Sequence, residues 1–181
     1  DVQSSTLPAD LVGFGVFPGD AGYRPLQWSE SFIVRGLPSV VSTIPGDQPS
    51  ILFVNDAGGG ASLDEWSFAW HELQVAEGVD YDTYYVNGAS SGVSNGIGSR
   101  ATVDQLAGYD TIVYTSGSLG WNTLTVFDQD DDKSDDVGLL DAWLMTGDRN
   151  LMATGDNLVS SMIQEGAAGA AFVSDWFSVD Y

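Results

Sequence analysis

The chain contains no cysteine, one histidine, five basic residues, and no proline beyond position 49. Each absence excludes something. Without cysteine there is neither a disulfide framework nor a thiolate nucleophile. Five Lys and Arg stand against 26 Asp and Glu, a formal net charge of −21. Phosphate backbones are held by cationic side chains, so no nucleic acid is expected as a partner. Anionic membrane surfaces are disfavoured by the same sign. Nothing approaches the run of roughly 18 apolar residues that spans a bilayer, so no membrane insertion is expected. Glutamate is also scarce: the acids are 21 Asp and 5 Glu. Glu suits helix surfaces, whereas Asp suits turns, caps and calcium-binding loops. The skew suggests a loop-rich protein that meets calcium, in an extracellular or cell-surface location. A salt-rich cytoplasm is the competing explanation of such an acidic surface.

What is present suffices for a core. Of 181 residues, 43% are apolar, enough for one domain with an appendage. All six prolines lie in residues 1–49. There, short pieces such as Leu11–Phe17 and Ser31–Val34 alternate between Pro-Gly and Gly-Asp turn signals. This stretch reads as a β-type arm or the tail of a preceding β-domain. It carries Val12, Phe14, Val16, Phe17, Trp28, Phe32 and Val34, too many large apolar groups to leave in water and too few for a core of their own.

From residue 50 the rhythm changes. Strands are expected at 51–54, 81–86, 111–115 and 150–154. Ser62 and Glu65 form a capping-box pattern ahead of a helix that runs toward Gly78, a suitable C-terminal stop. Further helices are expected at 102–107, 135–146, 157–164 and 170–177. Strand and helix alternate, which predicts an α/β three-layer sandwich over 50–181 with a mainly parallel, flavodoxin-like sheet. A strand order 2-1-3-4 would put the ends of the first and fourth strands on one edge.

Residues 50–181 resemble class I glutamine-amidotransferase-like domains and the caspase-like peptidases, including the gingipain-type domains of large secreted bacterial proteins. The segments "SILFVND", "GVDYDTYYV", "LAGYDTIVYTSG", "LLDAWLMTGDRNLMATGDNL" and "FVSDWFSVDY" carry the resemblance. It implies a flavodoxin-like sheet and a catalytic Cys–His pair at the strand ends. Here the third strand is followed by Ser116-Gly117-Ser118 where a His is implied, and the fourth by Gly155-Asp156 where a Cys is implied. The thiolate mechanism cannot run without its nucleophile.

Three constellations remain. Asp56, Ser116, Ser118, Asp156 and Asn157 all follow strands and form an alternative site at the strand carboxyl edge. A serine there needs a general base, and His71 falls inside the first helix. Asp128, Asp130, Asp132, Ser134 and Asp136 alternate as calcium-loop oxygens do. Lys133 replaces the turn glycine and Leu139 the bidentate Glu of an EF-hand, so a solvated loop capping a helix is the competing reading. Trp121, in a loop, is the aromatic best placed for a binding surface. The expectation is a non-catalytic module for adhesion, assembly or domain support, with calcium as a possible stabiliser and no organic cofactor. Its partners would be other protein domains or copies of itself, met through the arm at 1–49. The alternative is a hydrolase using the strand-edge Ser/Asp set.

Overall fold

The computed structural model describes residues 49–57, 63–86, 96–128 and 134–179, all within the compact unit Leu37–Tyr181. The arm expected at 1–49 lies outside them apart from its last residue, as do Asp130 and Asp132. Among the described residues four strands, β1 (Ile51–Asn55), β2 (Tyr81–Tyr85), β3 (Thr111–Thr115) and β4 (Asn150–Thr154), alternate with five α-helices. The helices are α1 (Leu63–Glu72), α2 (Val103–Leu106), α3 (Asp136–Leu144), α4 (Leu158–Gln164) and α5 (Ala167–Phe177). The order is β2-β1-β3-β4, and every pairing is parallel. This is the small α/β fold that the strand–helix rhythm predicts, with a flavodoxin-like strand order.

Sequence explains which strands are central. Ile51-Leu52-Phe53-Val54 and Ile112-Val113-Tyr114 are continuous apolar runs, suited to burial on both faces. In β2 and β4 polar residues interrupt the run, and these strands form the edges. Register partners share a face. Leu52, Val54, Ile112 and Tyr114 point to one side, where residues of α2, α3, α4 and α5 complete the main core. Phe53 and Val113 point to the other, where Trp66, Trp70 and Val75 cover them. Phe53, Trp70 and Tyr81 interlock there, with the Trp70 and Tyr81 rings stacked at 4.8 Å. That second face is only partly covered: Met152 of β4, the register partner of Val113, is 53% exposed.

The first helix stops earlier than its pattern suggests. Gln74, at φ +58°, takes the left-handed position usually given to glycine. Its N–H donates to His71 O, and the Val75 N–H donates to Trp70 O, the paired bonds of a Schellman cap. Val75 then folds back onto the Trp70 cluster, so burial of Val75 decides the stop. Gly78 turns the chain into β2 instead. A non-glycine residue at positive φ carries strain, so Gln74→Gly should stabilise the domain by roughly 0.5–1 kcal/mol in urea unfolding. A neutral or destabilising change would mean that Gln74 has another role.

Arg149 ties the opposite, amino edge together. Its guanidinium donates to Tyr109 O at 2.8 Å, Ala107 O at 3.1 Å and Thr146 Oγ1 at 3.1 Å. It also pairs with Asp110 at 3.3 Å and lies over Trp143, 5.7 Å from the ring centroid. An ammonium cannot reproduce this fork. Arg149→Lys should therefore cost about 1.5–3 kcal/mol, the usual worth of hydrogen bonds to a charged group. A loss below that range by chemical denaturation would show the fork to be dispensable.

Candidate functional site at the strand carboxyl edge

The residues just past β1 and β3 enter the interior. Backbone bonds extend the sheet beyond its last paired residues: Asp56 N–H donates to Thr115 O, and Ser116 N–H to Thr154 O. Asp56 and Ser116 thus occupy the next position on neighbouring strands, and both are 0% exposed. In the order 2-1-3-4 the chain reverses its direction of winding between β1 and β3. That switch point is where open α/β sheets place their ligands.

Asp56 is held from one side. The Tyr114 hydroxyl donates to Asp56 Oδ2 at 2.5 Å. Asp56 Oδ1 is buried and has no hydrogen-bond partner. Burial pushes the Asp56 carboxyl up to about 8; the Tyr114 bond opposes this, and the negative Asp136 adds to it. At neutral pH the group is therefore mostly protonated. Tyr114 is itself raised above the ordinary phenol range, first by burial and then by Asp56. Tyr84, on β2, is raised to about 12 by burial, with Arg100 opposing.

Asp136, the first residue of α3, is 1% exposed. It accepts from Ser134 Oγ at 2.6 Å, Gly98 N–H at 2.6 Å and Thr125 Oγ1 at 3.3 Å. These bonds tie two loops to the start of α3. The cap itself is Asp135, whose side chain accepts from Gly138 N–H at 3.0 Å. Two members of the alternating acidic set, Ser134 and Asp136, thus serve the interior, while Asp128 is exposed. Among the described residues, no group of three or more His, Cys, Asp or Glu is arranged to hold a metal ion.

Of the strand-edge set, the structure brings Asp56 and Ser116 side by side. Ser118, Asp156 and Asn157 are exposed. Asp156 uses its N–H to donate to Gly117 O, and Asn157 takes a left-handed turn at φ +58° ahead of α4. Ser116 Oγ is buried without a hydrogen-bond partner, packed against Gly155, where any Cβ would collide with it. His71 is exposed on the last turn of α1. Trp121 is 71% exposed in the loop after β3.

Sequence reasoning identified Asp56 and Ser116 but missed Tyr114 as the partner of Asp56, and Asp136 as a buried group whose charge reaches Asp56. Alternation within β3 was the available signal for Tyr114: it places residues 112, 114 and 116 on one face. Compared with protein-family models, curated proteins and solved structures, the chain matches none.

Proposed function

We propose that this chain is a non-catalytic α/β module of a secreted or cell-surface protein, acting in adhesion, assembly or support of neighbouring domains. The observation that carries the reading is Ser116. A nucleophilic serine is activated by a base bonded to its hydroxyl. Ser116 Oγ has no such partner and is fully buried. Asp56, at the adjacent position on the neighbouring strand, spends one oxygen on Tyr114 and leaves Ser116 unbonded. The resemblance to amidotransferase-like and gingipain-type domains, with Cys and His replaced at both strand ends, supports the same reading.

Assembly is supported by what lies outside the core. Phe68 and Leu73 on and beside α1, and Met152 on β4, are 65%, 67% and 53% exposed. Such side chains would be available for contact with another domain or another copy if they act together. The arm at 1–49, with its apolar side chains, would be the second contact. The composition, rich in Asp and poor in Glu, supports an extracellular or surface setting with access to calcium.

Incubation with a serine-directed fluorophosphonate, followed by peptide mass spectrometry, tests the reading. No adduct is expected at Ser116 or Ser118. A stoichiometric adduct at either residue, abolished by prior unfolding, would install the hydrolase reading in its place.

A further inference from the structure

The carboxyl end of β4 opens into a depression of about 430 Å³. That volume lies in the range that holds small ligands, and the edge is the one where open α/β sheets place them. Ala153, Leu158 and Val159 give the depression an apolar lining, while Thr154, Asn157 and Ser160 bring two hydroxyls and an amide. Among the described residues no charged side chain lines it, although the chain carries 26 acids and 5 bases. A cation therefore finds no carboxylate in the lining. An anion finds no base there and meets a chain of net charge −21. Asn157 is exposed, and its amide makes no capping bond to α4. Its donor and its acceptor both face solvent-accessible space.

The loop after β3 borders this depression and is pinned to the segment 156–161 at three points. Asp156 N–H donates to Gly117 O at 2.8 Å. A Cβ at Gly120 would lie 3.8 Å from Asn157 Nδ2. Thr123 Oγ1, buried, lies 3.5 Å from the buried Ser161 Oγ. Trp121 falls between the last two of these points and is 71% exposed. The fold thus anchors an exposed indole one residue from where the loop meets Asn157, at a cost in unburied apolar surface.

We propose that this edge binds a neutral saccharide, with the Trp121 ring against a face of the sugar and the Asn157 amide on its hydroxyls. A pyranose has C–H groups on its faces and a rim of hydroxyls that each donate and accept. An aromatic plane suits the first and an uncharged amide the second. The uncharged lining, in a chain so acidic, decides for a neutral sugar over a uronic acid or a phosphorylated one. The inference rests on the proposed adhesive role, to which it gives a ligand class. The two fail separately, because a serine adduct sinks that role without touching the sugar titration.

The test is a titration of the whole chain with neutral trisaccharides of glucose, mannose, galactose and N-acetylglucosamine. It is read on the indole ¹H–¹⁵N resonances and on saturation transfer to the sugar. At least one sugar should shift the Trp121 signal saturably, while the buried Trp143 signal stays fixed. Trp121→Ala should weaken that binding about tenfold. Asn157→Gly should weaken it as well; this variant removes the amide and suits the left-handed φ of +58°, so the fold is kept. Met145→Ala, at a side chain 72% exposed at the C-terminal end of α3, should leave it unchanged. The proposal is overturned if none of these sugars shifts Trp121, or if either site variant keeps wild-type affinity. An equal loss in Met145→Ala overturns it too, as does a uronic-acid trisaccharide that binds as tightly as the neutral one.

Discussion

Asp56→Asn should make the domain more stable at neutral pH, and the gain should grow with pH. In metal-free buffer with EDTA, the native Asp56 carboxyl holds its proton up to about pH 8, against an ordinary value of 3.8. The unfolded chain releases the same proton near 3.8. Between these limits the native state binds more protons, so unfolding becomes easier as pH rises. The slope is about 1.4 kcal/mol per pH unit, levelling off above pH 8. An asparagine carries no such slope. Its advantage over the wild type should therefore widen by up to about 1.4 kcal/mol for each unit between pH 5 and 8. Near pH 4 the advantage should disappear or reverse, because the new amide donor meets the same unpartnered environment. Urea unfolding of both proteins from pH 4 to 9 measures this directly. His71→Gln is the control, since it removes the one histidine of the chain without touching the strand ends. Parallel stability–pH curves for wild type and Asp56→Asn would show that Asp56 is ionised in the fold.

The second large effect is expected at Trp143. This side chain is 0% exposed, at the centre of the main core. Its indole N–H donates to Leu106 O at 3.1 Å, and Arg149 covers its ring. Trp143→Ala leaves a large cavity, orphans a carbonyl and removes the surface on which Arg149 rests. The cavity alone costs about 3–5 kcal/mol, a large part of the 5–15 kcal/mol that typical domains possess. Trp143→Phe fills most of the space and loses the hydrogen bond, so about 1–3 kcal/mol is expected. The urea midpoint should fall in that order with little change in slope. Equal losses for the two variants would mean that the hydrogen bond outweighs the packing.

The sheet was legible because its signals are local. Ile51–Val54 and Ile112–Tyr114 announce buried parallel strands by apolar continuity, and Gly147 with Asp148 announces the turn into β4. Thr102 and Gln105 form a capping box in the structure and begin α2 where a short helix was expected. What escaped depends on contacts distant in sequence. Nothing near Asp136 says that its carboxylate turns inward, because the N–H that holds it belongs to Gly98, 38 positions away. Alternating acids read as a solvated loop that caps a helix before they read as a calcium loop. Only the fold reveals that Ser134 and Asp136 face a core that Thr125 helps to line. The same holds for Arg149, whose backbone acceptors are carbonyls some forty residues earlier. Gln74 misled for a different reason: the cap geometry is set by burial of Val75, and it overrides the preference for glycine.

The central claim is that the strand ends form a closed interior instead of an open, solvated active site. The most direct test is the titration of Asp56 itself, followed through its side-chain carboxyl ¹³C resonance in the native, metal-free protein and assigned with Asp56→Asn. A buried carboxyl sealed by Tyr114 should titrate with a midpoint near 8. A midpoint near 4, with the other carboxylates, would mean that water reaches Asp56, that the edge is open, and that the account of this site is wrong.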